Sequence, residues 1–144
     1  MTLDYAAVED IHACSLYTTT EPCPLCLGAF YMSGVRGLHY ASRDPFAGSA
    51  NLLGTTPYLS RKPIRLAGPP DPALERLVMA MFVCYSLPER REVYREVFAA
   101  MDAIVPGCID QGRLLADGQV MARLRQQAAP AAQAVDALAS TLAL

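Results

Sequence analysis

Apolar and polar positions follow two regimes along this chain, and the change falls near Pro88. Before it, short runs rich in β-branched and aromatic residues alternate with apolar stretches at helical spacing. Residues 15–20 have the first composition and predict a strand. The strand runs into a predicted helix over 23–33, where Pro24 suits the first turn because the N–H it lacks would be unpaired there anyway. Gly34 is the expected left-handed C-cap. A second strand is predicted over 35–41, a long loop over 43–60 and a short third strand over 63–67. After the turn Gly68-Pro69-Pro70-Asp71-Pro72, residues 73–86 predict an apolar helix with Leu74, Leu77, Val78, Met81, Phe82 and Tyr85 on one side. Strands alternating with helices indicate an α/β layer with parallel pairing through crossovers.

Beyond Pro88 every apolar repeat is helical. Val93, Val97, Met101 and Ile104 form one stripe. Leu114, Met121 and Leu124 suggest a second, and Val135, Leu138 and Leu142 a third, with breaks near Pro106-Gly107 and at Pro130. Such stripes are packing surfaces and carry no chemistry. No internal repeat or low-complexity linker interrupts the pattern.

Composition sharpens the picture in three ways. With 144 residues, 53% of them hydrophobic, the chain can bury one real core. A net charge of −2 and a pI near 5.6 leave no global basic field to attract nucleic acid. The charge is uneven, though: residues 1–35 hold four acids and no Lys or Arg, whereas 36–91 hold eight basic residues against four acids, read as solvated arginines on loops. Five cysteines, an odd number, and no secretory apolar segment at the N-terminus point to a reducing cytoplasm. The Ala/Leu-rich stretch 128–144 is too short to span a bilayer, so no membrane association is expected.

The chemistry concentrates in Thr18-Thr19-Thr20-Glu21-Pro22-Cys23-Pro24-Leu25-Cys26. Two thiols one helical turn apart, at the positive end of a helix dipole, favour thiolate, the form that binds metal or attacks disulfides. Three uses of the pair follow: a metal site, a thiol–disulfide site and a buried structural pair in an interaction module. Cys84 and Cys108 fall on apolar helical stretches and read as core. Cys14 is either the same or a stand-in third metal ligand. His39 reads as a packed strand histidine and His12 as an exposed loop residue. Asp44, at the end of the second strand, is a candidate substrate contact because α/β sheets place ligands there, beside the plainer reading as an Asp-Pro turn.

The segment Leu16 to Ala29, continuing through Ser33-Gly34-Val35-Arg36 and Arg43-Asp44-Pro45-Phe46-Ala47-Gly48, resembles the zinc-dependent cytidine and nucleoside deaminase superfamily. Its signature is His-x-Glu followed by Pro-Cys-x-x-Cys. The likeness is to the bacterial guanine, cytosine and tRNA adenosine deaminase branch and covers residues 12–87. It implies a three-layer α/β/α fold, Zn2+ held by Cys23 and Cys26, and zinc-activated water replacing the amine of a base while a Glu shuttles protons. It also implies a His-Ala-Glu motif on an earlier helix, further upstream than the 22 residues before Cys23 allow. His12-Ala13-Cys14 carries Cys where that Glu belongs, and Glu9 precedes His12 in the reverse order.

The expectation is therefore an N-terminally truncated or degenerate deaminase domain over 1–87 with an all-helical extension over 88–144, inactive as it stands. The expected substrate is a small nucleobase or nucleoside, with tRNA a second choice on this acidic chain. No residue of this chain is assigned the proton-shuttling role. Missing strands leave open sheet edges, so homo-oligomerisation is expected. The alternatives are a glutaredoxin-like thiol oxidoreductase, with Thr56-Pro57 as the proline facing Cys23 and Cys26, and a non-catalytic remnant serving as an interaction module.

Overall fold

Three parallel strands and six α-helices form among the residues described, 10–89 and 92–144 of a computed structural model. The contacts divide into a sheet unit ending at Pro70 and a helical unit beginning at Asp71. Glu9, which precedes His12 in the reverse of the order the resemblance requires, lies outside the described residues.

In the sheet unit, β1 (Ser15–Thr20) leads into α1 (Pro24–Ser33), which crosses over to β2 (Gly37–Ser42); β3 (Arg65–Ala67) follows. The strand order is β1-β2-β3, with Tyr17 opposite His39 and Leu38 opposite Leu66. Parallel neighbours need such a crossover because no tight turn can join them. Gly34 ends α1 at φ 94°, in the left-handed region where a side chain would be strained. Leu27 and Phe30 of α1 are buried with Val35 and Leu38, and Ile11, Leu16, Leu53 and Ile64 pack against them. The second strand starts at Gly37 rather than residue 35, because the first ladder bond runs from Gly37 N–H to Cys14 O at 3.1 Å. Arg65 N–H donates to Arg36 O at 2.7 Å, which likewise starts β3 at Arg65 rather than 63.

The long segment between β2 and β3 is held by side chains reaching into its backbone. Tyr31 O–H donates to Tyr58 O at 2.5 Å. Lys62 donates from Nζ to Tyr31 O and lies 4.4 Å over the Tyr31 ring, next to the negative end of α1.

The helical unit comprises α2 (Pro72–Ser86), α3 (Val93–Ile104), α4 (Cys108–Asp117), α5 (Val120–Gln126) and α6 (Ala131–Leu142). Asp71 caps α2 by accepting from Ala73 N–H at 2.7 Å and Leu74 N–H at 3.0 Å, with Pro72 at the first helical position. The contacts thus place α2 with the helices that follow it, whereas the sequence expectation drew the boundary at 87. Leu77 and Ala80 join Leu115, Val120, Leu138 and Leu142 in one cluster. Met79 and Val83 join Val97, Met101, Val105 and Cys108 in another. Gly112 of α4 allows the close approach: a Cβ there would sit 2.5 Å from Val83 Cβ.

This double burial corrects the predicted stripe on α2, since Tyr85 is 70% exposed while Ala80 and Val83 are fully buried. On α4 Leu115 is buried and Leu114 exposed, and Val93 of α3 and Val135 of α6 are exposed as well. No helix among the described residues is long and apolar enough to cross a membrane.

Candidate metal centre

At the end of β1 the chain turns sharply into α1. Glu21 N–H donates to Ser42 O at 2.8 Å, continuing the ladder one residue past the strand, and Pro22 is buried. Cys23 is the N-cap, in an extended conformation at φ −68° and ψ 171°, and its carbonyl accepts the first helical bond from Leu27 N–H at 2.8 Å. Cys26 follows on the exposed first turn.

The two thiols lie against one another and share a proton unequally. The Cys26 N–H, then the Cys26 thiol and the Leu25 N–H, hold Cys23 below the usual thiol range, outweighing burial and the opposing Asp44 carboxylate. Cys26 is pushed up, first because it donates to the Cys23 sulfur and then because charge on Cys23 repels a second charge. In the metal-free pair Cys23 is therefore the thiol that ionises first.

Beside the pair lies an open depression of about 500 Å3, walled by the flank of β1 from Leu16 to Thr20 and by the Glu21–Cys23 turn. Its size falls within the range of small-molecule sites. Thr56 and Pro57 do not line it, so the arrangement expected of a glutaredoxin-like site does not form there.

The other sequence candidates do not join the pair in a metal-holding group among the described residues, although the Asp44 carboxylate is near enough for its charge to act on Cys23. His12 is exposed and pairs with Asp10, Nδ1 to Oδ1, at 3.7 Å. Cys14 donates from Sγ to Asp10 O at 3.6 Å and packs against the sheet core. Neither joins Cys23 and Cys26, since no group of three His, Cys, Asp or Glu able to hold a metal occurs among the described residues. This corrects the idea of Cys14 as a third ligand. His39 stacks on Tyr17, centroids 4.5 Å apart and 12° from parallel, as a packed strand residue. Asp44 Oδ1 accepts from Phe46 N–H at 3.0 Å and Ala47 N–H at 2.9 Å, closing the Asp-Pro turn. Cys84 and Cys108 sit in the two helical clusters, and burial pushes the Cys108 thiol up to about 11.

Sequence reading passed over Glu21. Its carboxylate reaches across to the segment after β2, with Oε1 accepting from Ala50 N–H at 3.0 Å and Oε2 from Asp44 N–H at 3.3 Å. The available signal was a Glu beside Pro-Cys together with a Gly-containing turn after the next strand.

Part of the chain has counterparts in known proteins. A stretch of 28 residues is 56% identical to a probable cytosine deaminase of Schizosaccharomyces pombe, covering 19% of this chain and 17% of that protein. A stretch of 37 residues is 46% identical to guanine deaminase of Bacillus subtilis, covering 26% of this chain and 24% of that protein. The chain is locally similar to deaminases. The matched part is about a quarter or less of the length of either curated relative. No protein-family profile and no solved structure matches the chain.

As a donor set, Cys23 and Cys26 fit two of the four tetrahedral positions that zinc fills with thiolate and imidazole. The described residues supply no third member.

Proposed function

We propose that this chain carries the thiolate half of the zinc site of a hydrolytic deaminase, acting on a nucleobase or nucleoside. The observation that carries the reading is the paired thiols in the wall of an open depression roomy enough for a small molecule, where strand β1 becomes helix α1. The local likeness to cytosine and guanine deaminases supports the same chemistry. Zinc, when bound, supplies a Lewis acid that makes hydroxide available near neutral pH for attack on an amine-bearing carbon.

The chain's own contribution is binding and placement. Coordination takes up thiolate, so metal affinity falls as pH is lowered; the lowered Cys23 value eases the loss of its proton and the raised Cys26 value opposes it. The β1 flank offers an apolar and hydroxyl-bearing wall against which a flat ring can lie. Turnover also needs a third protein ligand and a proton-shuttling carboxylate. Zinc binding through the two cysteines without ammonia release is therefore the expected behaviour of the chain by itself.

Competition of the chain with a chromophoric zinc chelator tests this. One zinc site per chain that disappears in both C23S and C26S is the expected result. Zinc uptake unchanged by those substitutions, or none at all, overturns the reading.

A further inference from the structure

The strongest unassigned feature is the knot of contacts around Glu21, two residues before Cys23. Its carboxylate accepts from Ala50 N–H and Asp44 N–H, at 3.0 and 3.3 Å. The backbone ties the same two segments together, through Glu21 N–H to Ser42 O at 2.8 Å and Ser49 N–H to Pro22 O at 3.0 Å. Pro22, Ser42, Ser49 and Ala50 are buried around it. Gly48 closes the wrap with no space to spare. A Cβ on it would lie 2.6 Å from Glu21 Cδ and Oε2, and 2.4 Å from Asp44 O.

Glu21 therefore joins the carboxyl-terminal ends of adjacent parallel strands, where α/β sheets place ligands. The Cys26 and Leu25 N–H groups of the first helical turn face the Cys23 sulfur, which ties the thiol to α1 but leaves the turn that precedes it to be fixed by other groups. The direction of that turn is set by the two residues before Cys23: Pro22, with a ring-locked φ, and Glu21, held by both its N–H and its carboxylate. Two thiols chelate one atom only if both sulfurs point at it, so whatever aims the turn aims the site.

We infer that Glu21 is a positioning residue for the cysteine pair, its carboxylate fixing the Cys23 turn against the Asp44–Ala50 segment so that the two sulfurs converge. The inference rests on reading Cys23 and Cys26 as a chelating pair, but it does not require that the metal be zinc.

The test uses the full chain, reduced and metal-free, titrated with phenylarsine oxide and separately with Cd2+ followed by thiolate-to-metal charge transfer. The arsenical loses its oxygen as water, taking both thiol protons, and forms two As–S bonds, so it reports convergence of two sulfurs with no zinc present. C23S marks the background from other cysteines. In E21Q the size is kept, but an NH2 group replaces one oxygen acceptor. Capture of the arsenical and of Cd2+ is expected to weaken by about ten-fold or more. G48A, which leaves Glu21 in place but crowds both its carboxylate and the Asp44 carbonyl at the other end of the clamp, is expected to do the same. E21Q/G48A is expected to be no worse than the weaker single variant, because both act through one clamp.

Wild-type arsenical affinity in E21Q and G48A, or effects that add, overturns the inference. Loss of the far-UV helical signal in both variants overturns it too, since Glu21 would then hold the fold and not the pair. A wild-type chain that captures the arsenical but neither Cd2+ nor zinc sinks the zinc reading, while the arsenical comparison still decides Glu21.

Discussion

The two units achieve order by different means. In the sheet unit, long segments without regular structure are held by side chains bonded to backbone: Glu21 to Asp44 and Ala50, Asp44 to Phe46 and Ala47, Tyr31 to Tyr58. In the helical unit, close packing of apolar faces predominates, and small residues such as Ala80 and Gly112 decide how near two helices come. Hydrogen bonds fix direction, whereas packing fixes distance. A chelating pair depends on direction, and the cysteines that could chelate lie in the unit built that way. The cysteines of the other unit are packed as small apolar side chains.

Cutting into each unit by its own means sharpens this contrast. Leu38 is fully buried between sheet and α1, and Leu38→Ala is expected to cost about 2–5 kcal/mol. Hydrogen exchange read by mass spectrometry should show protection falling across β1, α1 and β2; unchanged protection there would mean that the cluster is not the unit's core. Next come the thiols themselves. Burial leaves Cys108 with about a hundredth of the thiolate of an ordinary cysteine at pH 8, from the rise between 9.0 and about 11. Iodoacetamide should thus label Cys23 of the metal-free protein first and Cys108 only after unfolding, with the Cys23 profile displaced to lower pH and that of Cys26 to higher. Because the folded state raises the Cys108 value, the stability linked to its proton is intact below about 9 and lost as pH climbs through about 11.

Gly112→Ala probes the helical unit directly. The added methyl meets Val83 at 2.5 Å and Ala80 O at 2.9 Å, so a loss of about 1–3 kcal/mol is expected from chemical denaturation. A neutral or stabilising result would show that α2 and α4 can part without penalty. The smallest effect is Asp71→Ala, which removes the α2 cap and should cost about 1 kcal/mol.

Much of the sheet unit was legible in its sequence, because the signals there are local. Pro24 after Cys23 and Gly34 after Ser33 mark the helix ends by backbone chemistry that neighbours cannot override. The same junction put the two thiols side by side, and the structure keeps them so. The helical unit was legible in outline only. A helix buried against two clusters has no single apolar face, so the predicted stripe on α2 held at Leu77 but failed at exposed Tyr85, and Ala80 and Val83 were overlooked. Glu21 was missed for another reason. Its partners are backbone N–H groups more than twenty residues away, and backbone groups leave no trace in a sequence.

Gly48 carries a historical consequence. A Cβ there meets both the Glu21 carboxylate and the Asp44 carbonyl oxygen. Among descendants and cousins of this chain, a larger residue at 48 should appear only where position 21 has given up its carboxylate and the Asp44 turn has been rebuilt as well. A laboratory lineage evolved from G48A should therefore gather its compensating changes at residue 21 and around residue 44.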